Sequence, residues 1–223
     1  LEPMQKQLAA MQTKRASLAD GDQEAAGLDR RIAGAQLYLD DAKDFKWAMP
    51  TTCLDLKPGA SKVITDGARR IEIAYLGRAH SAGDLVVFLP KEKVLAMADL
   101  WAENTGQMLL DSGLDGRDGS VLEGPVTLKL IRKLDFDIAL PGHVGVMHGK
   151  AALDAAIANG EKMIAQIHER WARGDDVEEV LQKMPPPANA SPFIADRWRR
   201  VVISAFEEMD QRWQLGMKLP SQP

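Results

Sequence analysis

Four histidines occur in this 223-residue chain: His80, His143, His148 and His168. Two of them follow segments rich in strand-forming residues. His80 comes after Ile71 to Leu76, in Gly77-Arg78-Ala79-His80-Ser81-Ala82-Gly83-Asp84. His143 comes after Phe136 to Leu140, in Leu140-Pro141-Gly142-His143. Between them, Asp99 ends the apolar run Val94 to Ala98. Three potential metal ligands thus fall just past predicted strands. Strand ends in a layered α/β fold bring residues distant in sequence to one rim. Separations of 19 residues from His80 to Asp99 and 44 from Asp99 to His143 suit ligands gathered from separate strand-to-loop junctions. Imidazole nitrogen and carboxylate oxygen both bind Zn²⁺ at about 2.0–2.2 Å. A carboxylate bridging two metals would lower the pKa of a shared water toward neutrality and yield a hydroxide nucleophile. Taken singly, either histidine reads as a hydrogen-bonded loop residue; it is the joint pattern that points to metal.

The other polar candidates are weaker. His148 lies five residues beyond His143, at what reads as the start of a helix, and is expected to be a loop or cap residue near the pocket. His168, beside Glu169 and Arg170, reads as a surface residue of a helix. Trp101 and Glu103 follow Asp99 and are placed to line a pocket, and Ser81 adjoins His80. The single cysteine, Cys53, excludes an intramolecular disulfide and a cysteine-rich zinc module. Trp198 and Trp213, at helical spacing, read as core.

The elements that must position these groups follow from periodicity. In residues 1 to 45, Met4, Leu8, Met11 and Leu18, and then Leu28, Ile32, Ala35 and Leu39, recur at helical steps. Gly21 and Asp22 interrupt them as a C-terminal stop and an N-cap. Two amphipathic helices are predicted, acting as a cover or lid. Residues 46 to 172 begin with β-type runs at 62–64, 71–76, 85–89 and 94–98, the last two joined as a hairpin through Pro90 to Lys93. Leu85 to Leu89 is continuously apolar, as a strand buried on both faces would be. A helix near 121–133, a strand at 136–140 and a helix from about 150 follow. Residues 173 to 223 form a helical extension. It contains a short element at 177–184, the break at Pro185 to Pro187, and a final helix opened by Ser191-Pro192. The sequence therefore predicts an α/β fold of layered α+β character, with helices flanking a sheet.

The quoted segments resemble a known family. Gly77 to Asp84, followed by the apolar run to Pro90, closely resembles the G-x-x-H-[TS]-x-G-[DS] motif of metallo-β-lactamase superfamily hydrolases. Lys93 to Leu100 resembles the next motif, apolar residues and then Gly-Asp-Leu, with Ala98 in place of the glycine. Leu134 to His143 resembles the last, a strand running into Pro-Gly-His. The likeness covers about residues 60 to 172. It implies the C-terminal half of an αββα sandwich, with the helical segments added at either end. It also implies a site of two zinc ions in which His80 completes a three-histidine set, Asp99 bridges the metals and His143 ligates the second. Gly83-Asp84 would form a tight turn, with Asp84 holding the ligand geometry; a turn aspartate capping local amides is the plain alternative. Iron in place of zinc is left open by ligand type.

The family's H-x-H-x-D-H signature is absent, and no histidine precedes His80. That signature is expected upstream of Leu1. The implied activity of the complete protein is a metal-activated hydroxide attacking an ester, lactone, amide or thioester in a small-molecule substrate. The piece alone is expected to bind metal weakly and to be inactive. The competing reading is a non-catalytic half domain or partner-binding module with a vestigial metal site. Net charge is −4 with both signs mixed along the chain, which offers no basic face for nucleic acid. No apolar run approaches the length of a membrane span. A cut core would leave apolar faces bare, so association, including with itself, is expected. The sequence assigns no compartment.

Overall fold

A computed structural model describes residues 1–19, 21–46, 48–100, 119–142 and 145–220. The chain divides into two compact units, Leu1–Leu54 and Asp55–Pro223. The first is a helical pair, α1 (Glu2–Ala16) and α2 (Gln23–Ala42). Asp22 caps α2 by accepting the Glu24 amide at 2.8 Å, as a short polar side chain does for an otherwise unbonded first-turn donor. Leu8, Ala35 and Leu39 pack together with Met4, Met11 and Ile32. The expected apolar stripes thus meet each other.

The second unit holds a mixed sheet flanked by helices. Its strands are β1 (Ala60–Asp66), β2 (Arg69–Tyr75), β3 (Val86–Leu89), β4 (Val94–Ala98), β5 (Ile138–Pro141) and β6 (Met147–His148), in sheet order one to six. Its helices are α3 (Gly124–Arg132), α4 (Ala151–Ala172), α5 (Val177–Lys183) and α6 (Pro192–Gln214). The mixed α/β layering expected from the sequence is what the chain adopts. All neighbouring strands are antiparallel except β4 and β5, which run parallel. That exception needs a crossover, and α3 lies in it. Among the described residues, no helix is long and apolar enough to cross a membrane.

Strand register decides which residues face the helices. Ala74, Val86, Phe88, Leu95, Met97 and Ala139 share one face and are buried. They form one cluster with Leu128 and Ile131 of α3, Leu153 and Ile157 of α4, and Val202 and Ala205 of α6. The helices after residue 172 therefore build the same core as the sheet. The opposite face carries Ile71, Ile73, Val87, Leu89 and Val94, all only half-buried, with Ile64 and Leu140 exposed. This corrects the expectation that Leu85 to Leu89 is enclosed on both sides. Val86 and Phe88 are buried, Val87 and Leu89 are half-buried, and Leu85 is exposed. The run is uniformly apolar because its second face, although only half-buried, is apolar too.

Candidate metal centre

Antiparallel and parallel pairings together bring one set of strand ends to a common rim. Ala74 pairs with Val86, and Val87 with Ala96, so the end of β2 and the start of β3 lie beside the end of β4. Ala98 pairs with Pro141, so β4 and the parallel β5 finish side by side. The rim carries His80 in the β2–β3 connection, Asp99 directly after β4, and Pro141-Gly142 at the end of β5.

At this rim His80 and Asp99 meet. Nε2 of His80 lies 3.9 Å from Oδ2 of Asp99, and Nδ1 of the same ring lies 3.9 Å from Oδ1 of Asp84. The imidazole is mostly buried, with 12% of its side chain exposed, whereas Asp99 is 37% exposed. One ring nitrogen thus faces a carboxylate open to solvent, and the other faces a carboxylate inside the loop. Asp84 also builds the turn that follows the histidine. Its Oδ2 accepts the Ser81 amide at 2.7 Å, and its Oδ1 accepts the Ser81 hydroxyl at 2.6 Å. Ser81 Oγ in turn accepts the Gly83 amide at 3.3 Å. The local capping role weighed for Asp84 is therefore present, and the same carboxylate lies near Nδ1.

Asp99 is aimed by an irregular strand end. The β4–β5 register shifts between Ala96 and Ala98, a β-bulge of the kind that redirects a side chain beside a site. Ala98 has φ +41°, left-handed backbone that a residue with a Cβ adopts at a cost. The resembled motif has glycine at this position, where such backbone is unstrained. Gly142 then packs directly on the turn. Its amide donates to the Ala98 carbonyl at 2.6 Å. A Cβ built on Gly142 would lie 2.0 Å from Asp99 Oδ1 and 3.1 Å from the Ala98 carbonyl carbon. Glycine here leaves the Asp99 carboxylate the space that a side chain would otherwise take.

The loop before His80 is anchored by a polar network. Thr127 Oγ1 donates to the Arg78 carbonyl at 2.7 Å, and the Ser120 amide donates to the Ala79 carbonyl at 2.9 Å. The close approach of Thr127 requires Gly77, whose added Cβ would meet Thr127 Oγ1 at 2.7 Å. Arg78 donates to Glu123 through Nη2 at 2.7 Å and Nε at 3.3 Å. Arg212 of α6 donates to the same carboxylate at 2.6 Å and to Glu208 at 3.1 Å. Burial of Glu123 opposes its ionisation, but the bonds and charges of Arg78 and Arg212 outweigh that and hold its carboxyl below the usual range. Arg78 is held above its ordinary value, chiefly by its bond to Glu123. Sequence patterns give no sign of this network, because Glu123 lies 45 residues from Arg78 and 89 from Arg212, and Arg78 occupies a variable position of the motif that contains it.

The remaining expected site residues divide into two groups. His143, Trp101 and Glu103 lie outside the described residues. His148 does not start a helix; it belongs to the two-residue strand β6, exposed and paired with Ile138. Ile138 is the first residue of β5 and Pro141 the last. At about 3.3 Å per residue, His148 therefore sits about 10 Å from the rim end of that strand. The helix signal was real but begins at Ala151. Among the described residues, no group of three His, Cys, Asp or Glu is placed to hold a metal ion.

No family model and no curated protein matches the chain. Solved structures that match include a metallo-β-lactamase from Pontibacter korlensis, at 18% identity over 48% of this chain and 48% of that chain, with a TM-score of 0.37. Another is VMB-1, crystallised at pH 5.5 in Bis-Tris, at 25% identity over 41% of each chain, with a TM-score of 0.34. The chain spans less than half the length of these structures. Likenesses of this extent and score assign no role to His80, Asp99 or any other residue here.

Proposed function

We propose that the rim belongs to a zinc-dependent hydrolase of the metallo-β-lactamase superfamily. In this reading His80 and Asp99 are ligands, and His143 supplies a further donor from the end of β5. The supporting observation is the approach of His80 Nε2 to Asp99 Oδ2 at 3.9 Å, from two different connections. Zinc bound tetrahedrally at its usual bond lengths sets neighbouring donors about 3.4 Å apart, so a shift of a few tenths of an ångström would close the pair around an ion. The donor chemistry fits, since a neutral imidazole nitrogen and a carboxylate oxygen are both zinc ligands. Zinc would supply Lewis acidity toward a carbonyl oxygen and an activated water.

The chain's own residues orient and expose that site. With the proton on Nδ1, facing Asp84, the Nε2 lone pair of His80 points toward Asp99. At 3.9 Å the Asp84 carboxylate lies beyond hydrogen-bond reach of Nδ1 and acts on the ring as a neighbouring charge that favours the proton on that side. The more exposed Asp99 leaves one side of the rim open to a small-molecule ester, lactone, amide or thioester. The three donors of this reading, His80, Asp99 and His143, fall short of the four that close a single tetrahedral zinc site, so the chain's own zinc affinity is expected to be weak. The test is an equilibrium zinc titration of the full chain against a competing chromophoric chelator. His80→Ala and Asp99→Asn should each weaken binding at least tenfold. Zinc binding that is indifferent to both substitutions would remove this reading.

A further inference from the structure

We propose that α6 sets the position of His80, acting through Glu208, Arg212, Glu123 and Arg78 as positioning residues. The inference rests on the reading of His80 as a metal ligand. Arg78 and Ala79 are the two residues just before it, and the described hydrogen bonds that their carbonyls accept come from the segment 120–127: from Thr127 Oγ1 to Arg78 and from the Ser120 amide to Ala79. The Arg78 side chain leads there as well, to Glu123.

That segment is itself held from α6. Ser120 donates its hydroxyl to Glu208 Oε1 at 2.7 Å, and the Leu122 amide donates to Glu208 Oε2 at 3.3 Å. Arg212, with 9% of its side chain exposed, joins Glu208 to Glu123. The Glu123 amide closes the circuit on Ser120 Oγ at 2.9 Å. Two carboxylates and two guanidiniums are therefore assembled, with Arg212 and Glu208 largely buried and Glu123 and Arg78 partly open to solvent. Fewer charges would suffice to pin a helix by apolar packing, and α6 already has that through Val201, Val202, Ala205 and Met209. What the network adds is direction. Bidentate and charge-assisted bonds fix orientation as well as distance, and here they end on the backbone carrying His80.

The experiment compares the full chain with Glu123→Gln, Glu208→Gln and Thr127→Val. Arg199→Gln, which removes an exposed α6 ion pair to Glu178, serves as the control. Two readouts are taken: amide hydrogen exchange of residues 77–84 without metal, and zinc affinity by chelator competition, with His80→Ala alongside. Circular dichroism reports folding, and Thr127→Val, nearly isosteric, remains informative if a charge variant fails to fold. The expected result is faster exchange in the His80 loop and a tenfold or greater loss of zinc affinity, as is typical when a ligand's supporting partner is removed. Exchange in β3 and β4 should be unchanged, and the control should match the parent. Unchanged loop exchange overturns the proposal. Faster loop exchange with unchanged zinc affinity also overturns it, provided His80→Ala still loses zinc. If His80→Ala itself binds zinc normally, the ligand reading fails first and the proposal falls with it.

Discussion

Replacing Ala98 by glycine should stabilise the protein, against the usual effect of glycine in a strand. Ala98 has φ +41°, where a Cβ costs roughly 1–2 kcal/mol. Glycine would remove that strain but would gain freedom in the unfolded chain worth about 0.4–1 kcal/mol. The net expectation is a gain of about 0.5–1 kcal/mol. For a unit of this size that corresponds to a rise in Tm of about 1–4 °C. Ala96→Gly, two residues earlier in the same strand, provides the reference: strand glycine there should cost about 0.5–1 kcal/mol. Urea denaturation followed by circular dichroism measures both, and an unchanged m-value confirms that the midpoint shift is one of stability. The reasoning fails if Ala98→Gly destabilises to the same extent as Ala96→Gly. Residue 98 would then be in ordinary extended backbone, and the account of how Asp99 is aimed would lose its basis.

Three further outcomes are expected. Gly142→Ala places a Cβ 2.0 Å from Asp99 Oδ1, so the Asp99 carboxylate must turn away; zinc binding should weaken at least tenfold while stability falls by no more than about 1–3 kcal/mol, and unchanged zinc affinity would contradict the placement of Asp99 at the site. Glu123 has a carboxyl held below its ordinary 4.5, so its contribution is complete above that pH and is lost as pH falls through the lowered value. The stability gap between the parent and Glu123→Gln, measured by denaturation at several pH values, should therefore be full at neutral pH and shrink below about pH 4.5. The half-buried apolar sheet face around Ile73, Val87 and Leu89, with Ile64 and Leu140 exposed at its margins, should drive concentration-dependent self-association, seen by sedimentation velocity; Val87→Thr with Ile73→Thr should shift the chain toward monomer, and a strictly monomeric parent would contradict this.

The local features were legible because their causes are local. Asp22 and Ser191 cap helices as their side chains dictate, and alternation in β4 buries Leu95 and Met97. The approach of His80 to Asp99 was legible as well, since it needs only strand ends and a count of connections, while His143 lies outside the described residues. What escaped the sequence was set at long range or by too few residues. The strand β6 has two residues, too short to show a period, so His148 reads from sequence as a loop or cap residue at a helix start. The half-buried second face of β3 reads as fully buried because apolar residues occupy both faces of a short strand. The charged circuit from α6 to Arg78 has no sequence period at all, since its geometry exists only after the core has formed. The substitution of alanine for glycine at 98 was visible, but its φ was not, because an alanine gives no signal of left-handed backbone.

The most direct test of the central claim is a crystal of the full chain soaked with excess zinc and measured on both sides of the zinc absorption edge. The account predicts an anomalous difference peak about 2.0–2.2 Å from both His80 Nε2 and an Asp99 carboxylate oxygen. A peak bound elsewhere, with His80 and Asp99 left unligated at saturating zinc, would contradict it.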